Sequence, residues 1–400
     1  MQLSQAHNFN AFRPELVPLL AEYVKSLNKK KGDDNIFDPW FILQNVETGR
    51  KVVNELIKGI DYSEIDGVCV LANSGVPLGI LFSLAINKPM YFYNRETWSI
   101  GDNKTDNYFI YPIPPLGSRV TIIDSHIDTG FTSCDCYALL QKRNIKVTSI
   151  IAPISFLNET NQDSQKYLQD TNYCFLAEAN DIKEILLSSF ECEDIGTVEK
   201  IMKLRIEEDI PTIDFDERSY SLSKKELVKA TISSLFHVRQ VERFFDTALA
   251  DKLSTIFRSN EESVWSFFTQ SSHLCETFSQ IGSKVLAEEY DVLVGTGFLG
   301  TVFAICYAWV NNFNGVILST YKTSGWSNID EYIGKSCLII SGRLQSSYYL
   351  RRTIKLLNAK GIRNFRILVM RYAPENVDFS RRLIVSDFLR IYKDKIFIIS

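Results

Sequence analysis

The chain has 400 residues, of which 45% are hydrophobic and 23% are charged, and its formal net charge is −4. These values are ordinary for a globular protein with room for two or three cored domains, and the negative charge argues against general nucleic-acid binding. We expect no secretory signal, because no basic start precedes an apolar core, and no membrane span, because the longest apolar run, near 302–310, is too short. Eight scattered cysteines without a C-x-x-C pair favour a reduced, cytoplasmic setting.

Strands and helices alternate along the first part of the chain. Amphipathic helices are predicted over 14–27 and 45–58, and the β-branched run 67–72 lacks alternation, which indicates a buried strand. Further strands are predicted at 90–93, 120–123 and 147–151, with helices at 80–86 and 133–143. This alternation predicts an α/β fold with a parallel sheet, in which ligands bind outside the carboxyl ends of the strands.

The segment 120–133, VTIIDSHIDTGFTS, is the most informative part of the sequence. A hydrophobic strand ends at Asp124, and a loop of small and hydroxyl residues then leads into a helix near Ser133. Such a turn gathers backbone N–H groups at a helix N-terminus, where they favour a phosphate. Asp124 can accept hydrogen bonds from vicinal hydroxyls one sugar-length away, so the pattern suits a ribose 5-phosphate.

This segment resembles the signature of the type I phosphoribosyltransferases, which is a hydrophobic strand, one or two acids, two further residues, and then Thr-Thr-Gly or Asp-Thr-Gly with a hydroxyl residue. The likeness is to the orotate and hypoxanthine enzymes, and it implies a Mg²⁺-dependent transfer of phosphoribose between pyrophosphate and a nucleobase. It implies that the ribose 5-phosphate lies on Thr129, Gly130, Phe131, Thr132 and Ser133. It implies that the pyrophosphate lies on Asn73, Ser74, Gly75 and Arg95.

The same resemblance gives Asp124 the ribose hydroxyls, directly or through Mg²⁺, and matches the polar stretch 94–107 to a mobile loop over the site. Asp128 then has two readings, a general base facing a nucleobase or a cap for the following helix. The sequence departs from the family in three respects. The pyrophosphate loop Asn73–Gly75 has no Lys, although many family members carry one there. Ser125 stands where the second acid is usual, and His126 stands at a commonly aliphatic position, where a satisfied, half-buried histidine is expected.

The last third of the chain repeats the first. With an offset of 217 residues, Gly334 falls on Gly117 and the strand, loop and helix of the signature segment recur. Upstream, the alignment places Asp291 over Gly67 and, with one gap, Gly297 over Gly75. In this second copy the ribose acid, the candidate base and the loop glycine are replaced by Ser341, Gln345 and Ser347 respectively. A structural or regulatory role is therefore expected for it, and a protein partner could bind there.

We predict four segments. They are an N-terminal helical arm (1–38), a phosphoribosyltransferase-like domain (39–180), a charged helical bridge or hood (181–260) and a degenerate phosphoribosyltransferase-like domain (261–400). One rival motif, Gly295-x-Gly297-x-x-Gly300, fits the dinucleotide fingerprint, but the next strand, 315–320, ends without the acid that would hold a ribose.

Two functions from different classes follow. The first is an enzyme that binds phosphoribosyl pyrophosphate and a nucleobase-like acceptor. The second is a non-catalytic protein of the same fold that senses nucleotides or binds a partner, such as an accessory or effector of a bacterial operon. The lost second acid and the degenerate second copy favour the second function, whereas Asp124, Asp128, Thr129 and Gly130 favour the first.

Overall fold

A computed structural model describes the parts of the chain that carry its two sheets. The described residues are 16, 18–20, 45–72, 75–100, 103–127, 130–155, 172–178, 268, 271–286, 289–320, 330–344, 347–372, 385 and 388–399. The predicted bridge over 181–260 lies outside them. The chain divides into two compact units, Met1–Ile206 with Val264–Phe278, and Glu207–Ser263 with Ser279–Ser400.

The first unit contains a six-stranded sheet in the order β3-β2-β1-β4-β5-β6. Its strands are β1 (Gly67–Leu71), β2 (Met90–Ile100), β3 (Asn103–Tyr111), β4 (Arg119–Ile123), β5 (Lys146–Ser155) and β6 (Tyr173–Glu178). Its helices are α1 (Val46–Lys58), α2 (Val76–Ala85) and α3 (Phe131–Lys142). Among the described strands of this sheet, β2 and β3 pair antiparallel and the other pairs are parallel. The predicted α/β class is confirmed.

Local sequence explains where these elements begin. The Asn45 side chain accepts a hydrogen bond of 3.0 Å from the backbone N–H of Thr48, which caps α1 at the predicted position. All five residues of β1 are buried, as its unbroken apolar run predicts. Helix α2 begins at Val76, earlier than predicted, because Pro77 suits the first turn of a helix, where its missing N–H costs nothing.

The polar stretch 94–107, which the resemblance matches in place to a mobile loop, contributes its described residues to two paired strands. Strands β2 and β3 run antiparallel, and their register extends from the pair Phe92 and Tyr111 to the pair Ile100 and Asn103. Backbone hydrogen bonds between two strands need no apolar side chains, so a polar segment can extend as a two-stranded ribbon.

The second unit contains a five-stranded sheet, all parallel, in the order β11-β10-β9-β7-β8. Its strands are β7 (Val292–Thr296), β8 (Val316–Ser319), β9 (Cys337–Leu344), β10 (Phe365–Tyr372) and β11 (Ile396–Ile398). The helices near it in the chain are α4 (Ser271–Gly282), within which the two units divide, α5 (Gly297–Val310) and α6 (Tyr348–Ala359). One face of α6 packs against the sheet through a buried cluster that includes Leu350, Ile354 and Leu357.

The parallel strands of the two sheets follow one order, since β8-β7-β9-β10-β11 repeats β2-β1-β4-β5-β6. Backbone details agree as well. Gly117 and Gly334 have φ of 78° and 81°, and the residues before α3 and α6 are both left-handed. The offset of 217 therefore holds through the central strand and its helix.

The upstream part of the sequence alignment was wrong by a small shift. In the first sheet Gly67 pairs with Val120, whereas in the second Val292 pairs with Cys337, so Val292 and not Asp291 stands in the place of Gly67. Counting forward without a gap from these two positions, Gly300 and not Gly297 corresponds to Gly75. The alignment by glycine letters failed because strand register, which a single sequence does not display, decides the match.

Candidate functional site

Asp124 is the first residue after β4, at the carboxyl edge of the first sheet. Its backbone N–H donates to the carbonyl oxygen of Ile151 at 3.0 Å, so the neighbouring strand fixes its backbone. The residue is 7% exposed. Its Oδ1 accepts the backbone N–H of Ser125 at 2.7 Å, a charge-assisted bond that holds the carboxylate at the strand end.

Ser125 links Asp124 to His126. The Ser125 hydroxyl lies 2.9 Å from Nδ1 of His126 and 3.4 Å from Oδ1 of Asp124. Burial lowers the pKa of His126 to about 4, so its imidazole is neutral near pH 7 and Nδ1 can accept the hydroxyl proton. The expectation of a satisfied histidine is confirmed. Sequence reasoning missed the link to Ser125, for which the replaced second acid was the only signal.

The N-terminus of α3 forms the second part of the site. Gly130 is its N-cap in the left-handed conformation, with φ of 73°, and no side chain caps the helix there. The first helical hydrogen bond runs from the Cys134 N–H to the Gly130 carbonyl at 2.9 Å. The N–H groups of the preceding turn therefore have no partner within the helix, which is the geometry that attracts an anion. Ser133 is buried and Phe131 is half exposed in this turn.

Gly75 brings the loop after β1 against the same strand end. A Cβ built at Gly75 would lie 2.8 Å from the carbonyl oxygen of Ile123 and 3.1 Å from the Cα of Asp124. Only a residue without a side chain allows this approach. The N-terminus of α2, which begins directly after Gly75, therefore lies beside Asp124.

The other predicted site residues divide into two groups. Asn73, Ser74, Asp128 and Thr129 lie outside the described residues. Arg95 belongs to β2, where its backbone is paired in register with Tyr108. Thr132 lies in the first turn of α3. The structure thus brings Asp124, Gly75 and the first turn of α3 to one edge.

Two cysteines lie beneath this edge, which the sequence did not indicate. The Sγ atoms of Cys69 on β1 and Cys136 on α3 are 3.4 Å apart, and both residues are fully buried. Burial raises the pKa of the Cys136 thiol well above its ordinary value, and the hydrogen bond with Cys69 and the charge of Asp124 act in the same direction. The thiol of Cys136 is therefore held in its neutral form, and its side chain packs in the core of the first unit.

The carboxyl edge of the second sheet differs from that of the first in the residue at the position of Asp124 and in the turn that follows the first strand of the sheet. Ser341, 4% exposed, stands in the place of Asp124. Strand β7 runs directly into α5, whose first N–H, from Gly297, donates to the Thr320 hydroxyl at 2.9 Å. The glycines of the dinucleotide-like motif have local explanations. A Cβ at Gly295 would lie 2.3 Å from the Cα of Thr301, a Cβ at Gly300 would lie 2.5 Å from the carbonyl oxygen of Ile340, and Gly297 has a left-handed φ of 63°.

A divalent metal would find one suitable oxygen ligand among the described residues of this edge. Mg²⁺ in proteins is typically held by one or two carboxylates and by the phosphates of a substrate, and Asp124 supplies a carboxylate at the right edge. Within the described ranges, no group of three or more His, Cys, Asp and Glu is arranged to hold a metal ion. The residues therefore fit a metal shared with a ligand. In the same ranges, no helix is both long and apolar enough to cross a bilayer.

No protein-family model and no curated protein matches the chain. Among solved structures it is similar to the UMP synthase of Leishmania donovani, with 17% identity over 47% of this chain and 41% of that one and a TM-score of 0.36. It is also similar to the orotate phosphoribosyltransferase of Aeropyrum pernix, with 18% identity over 42% of this chain and 98% of that one and a TM-score of 0.35.

A third similar structure is the adenine phosphoribosyltransferase of Thermoanaerobacter pseudethanolicus, with 17% identity over 40% of this chain and 99% of that one and a TM-score of 0.32. The chain thus spans about two fifths of the length of the UMP synthase. At this level of similarity the likeness carries no functional argument. The functional proposal rests instead on the residues at the carboxyl edge of the first sheet.

Proposed function

We propose that the first unit binds 5-phosphoribosyl 1-pyrophosphate and transfers its phosphoribosyl group to a nucleobase-type acceptor, or catalyses the reverse reaction. The observation that carries this proposal is the position of Asp124. It lies at the end of a central parallel strand, between the glycine-dependent turn at Gly75 and the N-terminus of α3. A carboxylate between two sets of backbone donors suits a sugar that bears a phosphate at each end.

Each part of the edge then has a role. The first turn of α3, with Thr129 and Thr132 hydroxyls, holds the 5-phosphate. Asp124 accepts hydrogen bonds from the ribose hydroxyls. The loop Asn73–Gly75 holds the pyrophosphate, with Arg95 contributing positive charge. Positioning of this kind is the main contribution that an enzyme can make to such a transfer, because the bond to the leaving group breaks early.

Charge stabilisation and proton transfer complete the mechanism. Mg²⁺, when bound, supplies positive charge that stabilises the departing pyrophosphate. Asp124 stabilises the positive charge that develops on the ribose as the glycosidic bond breaks. We assign Asp128 as the general base that takes a proton from the acceptor nitrogen, an assignment that rests on the Ile127-Asp128-Thr129-Gly130 sequence.

A second candidate function is nucleotide binding without catalysis, as in a sensor or an accessory protein. Ser125 favours it, because this hydroxyl stands where a second carboxylate would strengthen the hold on ribose and metal. Ser125 is 1% exposed and is engaged with His126, so it does not replace the missing charge.

We further propose that the second unit is a degenerate copy of the first, present in tandem. Two clamps at the amino edges support the duplication. Asp66 Oδ2 accepts the Arg119 backbone N–H at 2.8 Å, and Asp291 Oδ2 accepts the Ser336 backbone N–H at 2.9 Å, at corresponding positions. A copy that keeps its fold without the ribose acid could serve regulation or bind a protein partner.

The test measures binding and turnover separately. Calorimetry with phosphoribosyl pyrophosphate, with and without Mg²⁺, measures binding, and pyrophosphate release with a panel of nucleobases measures transfer. Binding that needs Asp124, together with release for one base, supports the enzyme. Binding without release for any base supports the second candidate. No binding, in a protein whose circular dichroism is intact, contradicts both.

A further inference from the structure

The N-terminus of α6 lies at the carboxyl edge of the second sheet and has no role in the proposed transfer. Helix α6 has 12 residues, and its N-cap is Ser347. We propose that this edge binds a single phosphate group, from inorganic phosphate or a phosphomonoester, and that it does so without metal and without accommodating pyrophosphate. This site belongs to the second unit and does not depend on the function proposed for the first.

The hydroxyl of Ser347 is the first observation. Ser347 is 4% exposed, and its Oγ is buried without a hydrogen-bond partner. The side chain does not cap α6, although it occupies the N-cap position at which a serine normally accepts an N–H of the first turn. A buried hydroxyl without a partner costs roughly 1–3 kcal/mol, and an acceptor at the helix N-terminus would relieve that cost.

The backbone around Ser347 has the same geometry as the phosphate turn of the first unit. Its φ of 54° is left-handed, as is that of Gly130, although serine lacks the freedom of glycine there. The first helical bond, from the Arg351 N–H to the Ser347 carbonyl at 2.8 Å, corresponds to the bond between Cys134 and Gly130. The N–H groups of the first turn of α6 therefore have no partner within the helix.

Charge is the second, independent observation. Between positions 337 and 372 the sequence has eight Lys or Arg and no Asp or Glu, whereas the corresponding stretch 120–155 has three of each sign. Four of these basic residues belong to the carboxyl ends of β9 and β10 or to the first two turns of α6. They are Arg343, which is paired in register with Arg371, and Arg351 and Arg352. This distribution favours an anion over a metal cation.

The hydroxyl of Thr320 bears on whether the second unit can hold one phosphate group or two. In the first unit two sets of donors flank the strand end, but in the second the first N–H of α5 already donates to the Thr320 hydroxyl. The Thr320 hydroxyl also lies 3.3 Å from the Gly295 carbonyl, and Thr301 bonds the Gly297 carbonyl at 2.7 Å. The Gly297 N–H is therefore already bonded within the chain, so the N-terminus of α5 offers a ligand fewer donors, and we place the single phosphate at α6.

Hydrogen exchange of the full-length protein, read by mass spectrometry, tests the site, because peptides over 347–356 and over 130–139 report the two units separately. Inorganic phosphate and ribose 5-phosphate, compared with potassium chloride at equal ionic strength, should slow exchange at the start of α6. Pyrophosphate with Mg²⁺ should slow it no more than phosphate does. Ribose 5-phosphate acting at lower concentration than phosphate would identify a sugar phosphate as the source.

Three variants make the test specific. Ser347→Ala should raise the phosphate concentration needed for half-protection about fivefold to twentyfold, because one hydrogen bond to a charged group is lost. Ser347→Gly should have a similar effect while keeping the left-handed backbone. Ser283→Ala, at an exposed serine of the same unit, is the control and should change nothing. Absence of protection at α6, or equal protection in the wild type and in both Ser347 variants, would overturn the proposal, whatever happens at 130–139.

Discussion

Gly75 and Ile123 approach so closely that a single methyl group at position 75 would lie 2.8 Å from the Ile123 carbonyl oxygen. The same relationship recurs in the second unit between Gly300 and Ile340, at 2.5 Å. In both units the helix after the first strand is thus held against the end of the central strand. Only in the first unit does an acid, Asp124, follow that strand.

This recurrence provides a matched pair of variants. Gly75→Ala and Gly300→Ala should each destabilise the protein by about 1–3 kcal/mol, because the added methyl meets backbone atoms that cannot move independently. Only Gly75→Ala should also weaken binding of phosphoribosyl pyrophosphate, which calorimetry at a temperature below both unfolding transitions would measure. Equal losses of affinity in the two variants would contradict the assignment of ligand binding to the first unit.

Asp124→Asn should weaken binding of phosphoribosyl pyrophosphate by roughly 10²-fold, because a neutral amide replaces a carboxylate that accepts ribose hydroxyls and meets a metal. The side chain keeps its shape, so circular dichroism should stay unchanged. Ser341→Asn, at the corresponding position of the second unit, is the control and should leave binding intact. An affinity change below threefold for Asp124→Asn would remove this residue from the site.

Asp128→Asn tests the general base. Turnover should fall by roughly 10²–10⁴ while the affinity for phosphoribosyl pyrophosphate changes little, because the base acts on the acceptor in the transition state. Steady-state kinetics with saturating acceptor would measure this. A loss of less than tenfold in kcat would instead support a helix-capping role for Asp128.

Substitutions at the two left-handed N-caps, Gly130 and Ser347, should have opposite effects on stability. Gly130→Ala should destabilise the first unit by about 1–2 kcal/mol, since φ of 73° is unfavourable for any residue with a Cβ. Ser347→Gly should stabilise the second unit by a smaller amount, because it relieves the same strain at φ of 54°. Thermal unfolding of both variants beside the wild type checks the signs, and a decrease in Tm for Ser347→Gly would contradict the prediction.

His126 predicts an acid-sensitive component of stability. Its folded pKa of about 4 lies below the unfolded value near 6.5, so the unfolded state binds the extra proton between these pH values. Neutral His126 therefore contributes to the free energy of unfolding in full above pH 6.5. This contribution, of up to about 3 kcal/mol, is lost as the pH falls towards 4. The difference in the free energy of unfolding between the wild type and His126→Asn should therefore become smaller as the pH falls from 6.5 to 4, which denaturant titrations at several pH values would measure.

A direct measurement supports the same test if His126→Asn does not fold. The chain has four histidines, so NMR titration of their imidazole signals in the wild-type protein is tractable. One histidine should stay neutral to about pH 4. If all of them titrate near 6.5, the buried Ser125–His126 link is absent in solution.

The sequence predicted the elements whose causes are local. The helix over 45–58, the buried strand over 67–72 and the small-residue loop leading into a helix near Ser133 each depend on residues within a few positions. The structure has all three, with the strand at Gly67–Leu71 and the last helix beginning at Phe131. Features set by distant partners were missed. The ribbon after Tyr93 depends on strand pairing, and the equivalence of Gly75 with Gly300 depends on sheet register. Neither is encoded in the composition of one segment.

The clamps at the amino edges, where Asp66 holds Arg119 and Asp291 holds Ser336, have a consequence for how such a chain can change. They fasten the first strand to the central strand at the end of the sheet farthest from any ligand. The residue at the opposite end can therefore differ while the sheet stays assembled, as Asp124 in the first unit and Ser341 in the second illustrate. In a deep mutational scan that selects for folding, Asp66 and Asp291 should tolerate fewer substitutions than Asp124 does, whereas Asp124 should become intolerant when ligand binding is selected.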